Sequence, residues 1–487
     1  MQSRAFLFAL LALIVFLIHA PLLRLPFYWD ELGQFVPASL DLFDAGAWVP
    51  YSTVPNVHPP GVMAYLAAFW LITGYSVPAT RIAMLLLASG GALAAFLLAI
   101  ELAKGAPGMP AFTAAALLLL SPLFVSQSML AQLDMPAMVF TCLALLLFFQ
   151  EKTGMAAAAC CVLVMIKETG IVLPIVLGGW LFYEGRNREA IWFATPLLPL
   201  AAWLLLLRHK TGHLFGNPEF THYNLLYPLN PVRLALALLR RVYYLFIGTF
   251  HWIGTVAVIY AWKHASLFRD RPWRIAIIFA TAHAILVSIL GGAVLERYLL
   301  PVLPILYIAF AMGFAAYSPK LRIASELVLF PALVLANFSN PPYPFPLENN
   351  LAFATFVSLN QRAAELVQAR YADLTIATSF PLAGGLRRPE FGYVSRPIRV
   401  REIKDFSTAN IAGLENGDAD VLVLYSTAWD PLHLLDHPGW VDFLRRYYGY
   451  QPQASGQQAA ALLHMRQVAH WTQNGQWIEV LAHDSFR

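Results

Sequence analysis

From Ala5 to Phe338 the chain is a train of continuous apolar runs separated by short polar stretches. A helix needs about 20 apolar residues, within a range of roughly 17–25, to cross a bilayer. Apolar residues follow one another here without alternation, which speaks against a transmembrane β-barrel. Composition closes the remaining routes: charged residues make up 12% of the 487, against roughly 25% in soluble domains. One water-soluble core cannot hide that much apolar surface. Disordered, collagen-like and disulfide-framework chains are excluded on the same ground. The fold class expected is a polytopic α-helical membrane protein.

The net charge of +4 is spread thinly, and no basic stripe points to nucleic acid. Cys142, Cys160 and Cys161 all lie in apolar runs, where a thiol behaves as a small hydrophobe. They form no metal-binding or disulfide pattern.

The first run, Ala5–Ala20, reads as an uncleaved span, because Pro21 stands where a signal-peptide cut would fall. Further candidate spans are Ile82–Leu102, Ala111–Val125, Met135–Phe149, Met155–Ile166, Gly170–Phe182, Ala190–Leu207, Tyr243–Trp262, Ile275–Leu290, Leu299–Ala316 and Ile323–Phe338, about eleven in all. With the N-terminus inside, Lys104, Lys152, Arg186, Lys263, Arg269 and Lys320 all fall on cytoplasmic loops, as positive charge prefers. Two segments decide that parity. Val62–Thr73 is apolar but short, and is expected to lie along the outer surface. Met155–Tyr183 is interrupted by Lys167-Glu168, and a charge at the bilayer centre costs about 2.5–3.5 kcal/mol. Two short spans with an outward turn avoid that cost. The outward loops are then Arg24–Arg81, Ser126–Asp134, Lys167–Thr169, Arg208–Arg241 and Gly291–Arg297, with everything after Phe338 also outside.

Composition shifts at Asn340-Pro341-Pro342-Tyr343-Pro344-Phe345-Pro346, a Pro-rich linker that divides a membrane domain (1–340) from a soluble one (341–487). In the latter, Ala354–Ala369 has helical periodicity. Leu374–Thr378 and Val421–Tyr425 resemble strands, and Ala460–Met465 with Trp477–Ala482 suits a hairpin around Asn474-Gly475. A C-terminal soluble α/β domain is expected, with no catalytic motif of its own.

Acids are scarce in the membrane half, and the informative ones sit at outer span ends. Asp30 and Glu31 follow the first span, and Asp134 stands where an outward loop returns to the membrane. Carboxylates there can take a proton from a hydroxyl or hold a divalent cation. Helix capping is the other role open to each, and the two can coexist. His58 shares the loop of the acidic pair. Lys167 and Glu168 can pair with each other, or Lys167 can meet an anionic headgroup. Arg297-Tyr298 suits either an interfacial anchor or a lipid phosphate. The Leu214–Pro231 loop carries Phe220, His222, Tyr223 and Tyr227. The amphipathic Val232–Tyr244 stretch, with Arg233, Arg240 and Arg241, suits the outer surface.

In order, the chain presents a first span, Asp30-Glu31, His58-Pro59-Pro60, Arg81 entering a span, and Leu133-Asp134-Met135-Pro136. Ile166-Lys167-Glu168-Thr169-Gly170 and Glu296-Arg297-Tyr298-Leu299-Leu300-Pro301 follow. Over about residues 1–340 this order resembles the GT-C glycosyltransferases, on the branch of the protein O-mannosyltransferases and the lipid A aminoarabinose transferase. The resemblance implies transfer of a sugar from a polyprenyl-phosphate donor to a lipid, glycan or protein acceptor, on the non-cytoplasmic face and usually with inversion. It implies catalytic roles for Asp30, Glu31 and Asp134, with Asp30 as base or metal-site residue and a divalent metal left open at these acids. His58, Lys167, Arg297 and Tyr298 would contact the donor phosphate. His58 stands where the family often has Lys, and Glu168-Thr169 separates Lys167 from Gly170. A bacterial cytoplasmic (inner) membrane is the expected location, with the C-terminal domain on its extracytoplasmic side and no nucleic-acid partner. The alternative is a transporter or lipid flippase, which would carry ionisable groups near the midplane or broken helices in matched halves. A lipid-linked polymerase or ligase is a third reading, although such enzymes usually carry their large outer domain mid-chain.

Overall fold

The computed structural model describes residues 2–265, 267–339, 343–344, 348–414 and 418–483. The Pro-rich linker lies outside these residues except for Tyr343 and Pro344. The chain divides into two compact units. One holds Met1–Ala20, Pro37–Gly74 and Thr80–Phe338; the other joins Pro21–Val36 and Tyr75–Ala79 to Ser339–Arg487. Two early segments therefore cluster with the C-terminal region, a grouping that sequence position does not announce.

Five helical stretches are long and apolar enough to cross a membrane: Arg4–Leu22, Val77–Leu102, Asn187–Thr211, Arg271–Ile289 and Glu296–Ala315. Five shorter apolar helices are Gly61–Thr73, Pro110–Leu120, Asp134–Phe149, Thr153–Ile166 and Glu168–Tyr183. Among the described residues the long helices alone do not reach a count of about eleven.

Two expected spans are broken. Ala111–Val125 splits into Pro110–Leu120 and Pro122–Gln127, because Pro122 cannot donate and holds Ser121 extended at ψ 126°. The freed backbone is bonded again: Asn337 Nδ2 donates to the Leu120 carbonyl at 3.1 Å, and His19 Nε2 lies 2.8 Å from the Val125 carbonyl. Such repair is what irregular backbone in an apolar bundle requires. Tyr243–Trp262 is also discontinuous. It divides into Pro231–Phe246 and His251–His264, bent by 79° where Thr249 and Phe250 take positive φ. The Lys167-Glu168 interruption does separate two helices, Thr153–Ile166 and Val172–Tyr183, joined by the 3-10 turn Glu168–Ile171.

The second unit carries a five-stranded mixed sheet in the order Val400–Glu402, Ile376–Thr378, Val421–Tyr425, Gln476–Ala482, Arg466–Gln473. Its first three strands are parallel and its last two antiparallel. Every side chain of Val421–Tyr425 is buried, as a central strand demands. The helix Ala352–Arg370 packs against the hairpin strands. The hairpin does turn at Asn474-Gly475, both at positive φ, but its first strand is Arg466–Gln473. Ala460–Met465 is not a strand. Ser455 and Gln458 close a capping box that starts the helix Gly456–Leu463 there.

Candidate active site

The centre of the helical unit is built on three elements that each end or turn at the same place. Asp134 opens the helix Asp134–Phe149, Lys167 follows Thr153–Ile166, and Arg297-Tyr298 lie in the 3-10 helix Glu296–Val302. Lys167 leaves its helix with extended backbone (φ −149°), which swings its side chain out of the helical row. Its ammonium donates to Asp134 Oδ1 at 2.5 Å, while Arg297 Nε lies 3.3 Å from Asp134 Oδ2. Both carboxylate oxygens thus face cations. All three groups are buried, at 2% exposure for Asp134, 7% for Lys167 and 4% for Arg297.

Tyr298 supplies a second surface for the same cations. Lys167 Nζ stands 4.1 Å from its ring centroid, and Arg297 and Arg241 stand at 5.6 and 5.7 Å. Arg241, assigned to a surface helix from its amphipathic surroundings, is in fact buried and donates to the carbonyls of Leu295 and Val287. Its neighbour Arg240 bonds Glu296 at 2.5 Å. The signal that could have found them is the tandem of arginines at the edge of an apolar run.

The Lys167-Glu168 pair does not close on itself. Glu168 accepts from His58 Nδ1 at 2.9 Å, so one residue of the turn binds the start of the Asp134–Phe149 helix and the next binds the loop before Gly61. Gly61 permits this approach: a Cβ there would lie 2.4 Å from the Met165 carbonyl. Burial would raise the Glu168 carboxyl, but the charge and hydrogen bond of His58, with Lys167, hold it below the usual carboxylate range. Phe220 packs edge-on against the His58 ring. Among the described residues the cations Lys167, Arg240, Arg241 and Arg297 gather here with the carboxylates Asp134, Glu168 and Glu296.

Asp30 and Glu31 belong to the other unit. Trp29 takes φ 43° and a π-helix, Glu31–Phe35, begins directly after Asp30, so two backbone irregularities bracket that residue. Such features gather at functional sites. Asp30 occupies the N-cap position, yet its side chain makes no capping bond. The local capping falls to buried Glu31, whose carboxylate accepts from the Tyr28 amide at 2.8 Å. The segment is held by aromatic rings: Tyr28 against Phe353 and Phe356, and Trp29 against Phe380.

Two of the three acids left open for a divalent cation are already engaged. Among the described residues no three His, Cys, Asp or Glu side chains gather as a ligand set. Asp134 already faces two cations, and Glu31 already caps backbone.

No protein-family model matches the sequence, and neither does any curated protein. Solved structures do match. ArnT from Cupriavidus metallidurans bound to undecaprenyl phosphate superposes with TM-score 0.56 at 16% identity, covering 98% of each chain. Its apo state gives 0.54 at 15% identity, again over 98% of each chain. The archaeal oligosaccharyltransferase AglB from Archaeoglobus fulgidus, in complex with an inhibitory peptide and a dolichol-phosphate, gives 0.52 at 11% identity, over 86% of this chain and 69% of its own. The chain has the GT-C-like fold of these glycosyltransferases.

Proposed function

We propose that this protein is an integral-membrane glycosyltransferase that moves a sugar from a polyprenyl-phosphate donor to a lipid, glycan or protein acceptor on the outer face of a bacterial cytoplasmic membrane. The observation that carries the reading is the gathering of three buried cations, Lys167, Arg241 and Arg297, around Tyr298 and Asp134. Cations gathered in a buried place bind a phosphate through charge-assisted hydrogen bonds, so such a cluster suits an anionic partner. A donor with a phosphate head and an apolar tail matches both the cluster and the apolar helices around it. The fold shared with ArnT and AglB supports the same reaction class.

In this reading Lys167 and Arg297 face the donor phosphate, with His58 and Tyr298 beside them. Asp134 orders the two cations. A carboxylate whose oxygens both face cations is poorly suited to take a proton, so the base is assigned to Asp30, which two backbone irregularities bracket. Asp30 takes the proton of the acceptor hydroxyl or amine as that group bonds to the anomeric carbon. The bond from that carbon to the phosphate oxygen breaks, and polyprenyl phosphate leaves with the electron pair. Its growing negative charge is met by preorganised cations. The second unit is assigned to the extracytoplasmic side.

The test is purified protein with a panel of polyprenyl-phosphate sugars, scored for hydrolysis or transfer. Covalent transfer supports the reading. Vesicle uptake of substrate without any covalent product overturns it.

A further inference from the structure

Behind the Asp134–Lys167 pair lies a small cavity whose polar wall is Asp134, Thr141, Lys167, Thr169, His283 and Tyr298. Two atoms of these lining residues, His283 Nδ1 and Thr169 Oγ1, have no hydrogen-bond partner among the described residues. Both residues are more than nine-tenths buried, at 3% and 8% exposure. Buried polar atoms are seldom left in that condition, because nothing replaces the water bonds they gave up.

The chemistry of the wall defines what fits. His283 Nε2 lies 2.8 Å from the Tyr298 carbonyl, which can only accept. Nε2 therefore carries the ring hydrogen, and Nδ1 of the neutral ring is an acceptor. An ammonium has three hydrogens. The Asp134 bond and the Tyr298 ring face account for two on Lys167, and a third serves the cavity that Lys167 also lines. Thr169 adds a hydroxyl, which can donate or accept. A small cation would be repelled by Lys167, and an anion would face the Nδ1 lone pair and the Asp134 carboxylate. A neutral group that both donates and accepts satisfies all three, and about three polar partners is what a buried water makes.

We propose that one ordered water occupies this cavity, accepting from Lys167 and donating to His283 Nδ1 and Thr169 Oγ1, and that it positions Lys167 and Tyr298 for the donor phosphate. His283 then acts as a positioning residue with two arms. One holds the backbone that carries Tyr298, and the other reaches Lys167 through the water. The positioning half rests on the proposed sugar transfer; the water site does not.

The experiment uses the full chain in lipid nanodiscs, with structures determined at a resolution that shows ordered waters. The wild type and Thr169→Ser are expected to show the water bonded to all three groups, and Thr169→Val to lose it. A wild-type cavity that is dry, or filled by a side chain, overturns the site whatever the enzyme does. In kinetics, Thr169→Val is expected to raise KM for the polyprenyl-phosphate sugar about tenfold with kcat within about twofold, and Thr169→Ser to restore it. An unchanged KM in a variant that has lost the water overturns the positioning role. If no donor is turned over at all, the proposed function fails while the density still decides the water. If Thr169→Val does not fold, Thr169→Ala takes its place in both measurements.

Discussion

Asp134 and Glu31 are both buried carboxylates, and the two units accommodate them by opposite means. Asp134 is met by side-chain cations delivered from two other elements, the Lys167 turn and the Arg297 3-10 helix. Glu31 is met by a backbone amide three residues away, inside a cradle of rings from the C-terminal region. The first arrangement is long-range and electrostatic, so it answers to charge. The second is local bonding inside long-range packing, so it answers to shape. A centre held by charge can take an anionic substrate, whereas a centre held by rings can keep a neighbouring acid at a set position.

The sharpest break in this comparison comes at Asp30. Asp30→Asn is expected to lower sugar transfer roughly 10²–10⁴-fold without unfolding the protein, as loss of a general base does. Glu31→Gln, whose amide oxygen can still accept from Tyr28, is expected to keep most activity. Equal losses in the two variants would sink the assignment of the base. Next comes Asp134→Asn, which leaves Lys167 and Arg297 buried against a neutral amide and is expected to cost about 3–5 kcal/mol of stability. Thermal unfolding in detergent reads this out, and adding Lys167→Gln should recover part of it. Additive losses in the double variant would show that the two residues are not coupled.

Smaller effects separate packing from charge. The Tyr393 hydroxyl donates to the Phe27 carbonyl at 2.8 Å, beside a backbone bond from Phe27 N to Phe391 at 3.2 Å. Tyr393→Phe is expected to cost about 1 kcal/mol, with faster hydrogen exchange confined to the Phe27–Glu31 backbone. The smallest effect is a pH dependence. Because its carboxyl is held below the usual range, Glu168 contributes stability that is present at neutral pH and is lost as pH falls through its lowered value. Acid unfolding of Glu168→Gln is expected to lack that loss. An unchanged acid limb would remove the His58–Glu168 pair from the stability of the centre.

Much of the architecture was readable from the chain alone. The apolar runs placed most helices, since burial of apolar side chains acts on any stretch long enough. Val421–Tyr425 matches its strand residue for residue, and Asn474-Gly475 marked its turn. The misreadings share a cause. Pro122, the Gly248-Thr249-Phe250 break and the Ser455 capping box act through backbone geometry, which a hydropathy run does not register. Arg241 was misread because amphipathic periodicity shows that a helix has a polar face without showing what that face meets.

Asp134, Lys167, Arg297 and Tyr298 were each singled out by residue type and by place at the end of an apolar run, and His58 by the loop it shares with Asp30 and Glu31. What the sequence determined unaided was therefore most of the apolar helices, the shift in composition toward the C-terminal region and the identity of the charged residues at the helix ends. All of these follow from local hydropathy and periodicity. Only the tertiary structure decided that Lys167 pairs with Asp134 while Glu168 turns to His58, that Arg241 is buried beside Tyr298, and that Pro21–Val36 joins the C-terminal unit. The physical reason is that an ion pair gains most of its strength where water is excluded. Which groups share such a place depends on how the helices close on one another, and no local window of sequence contains that closure.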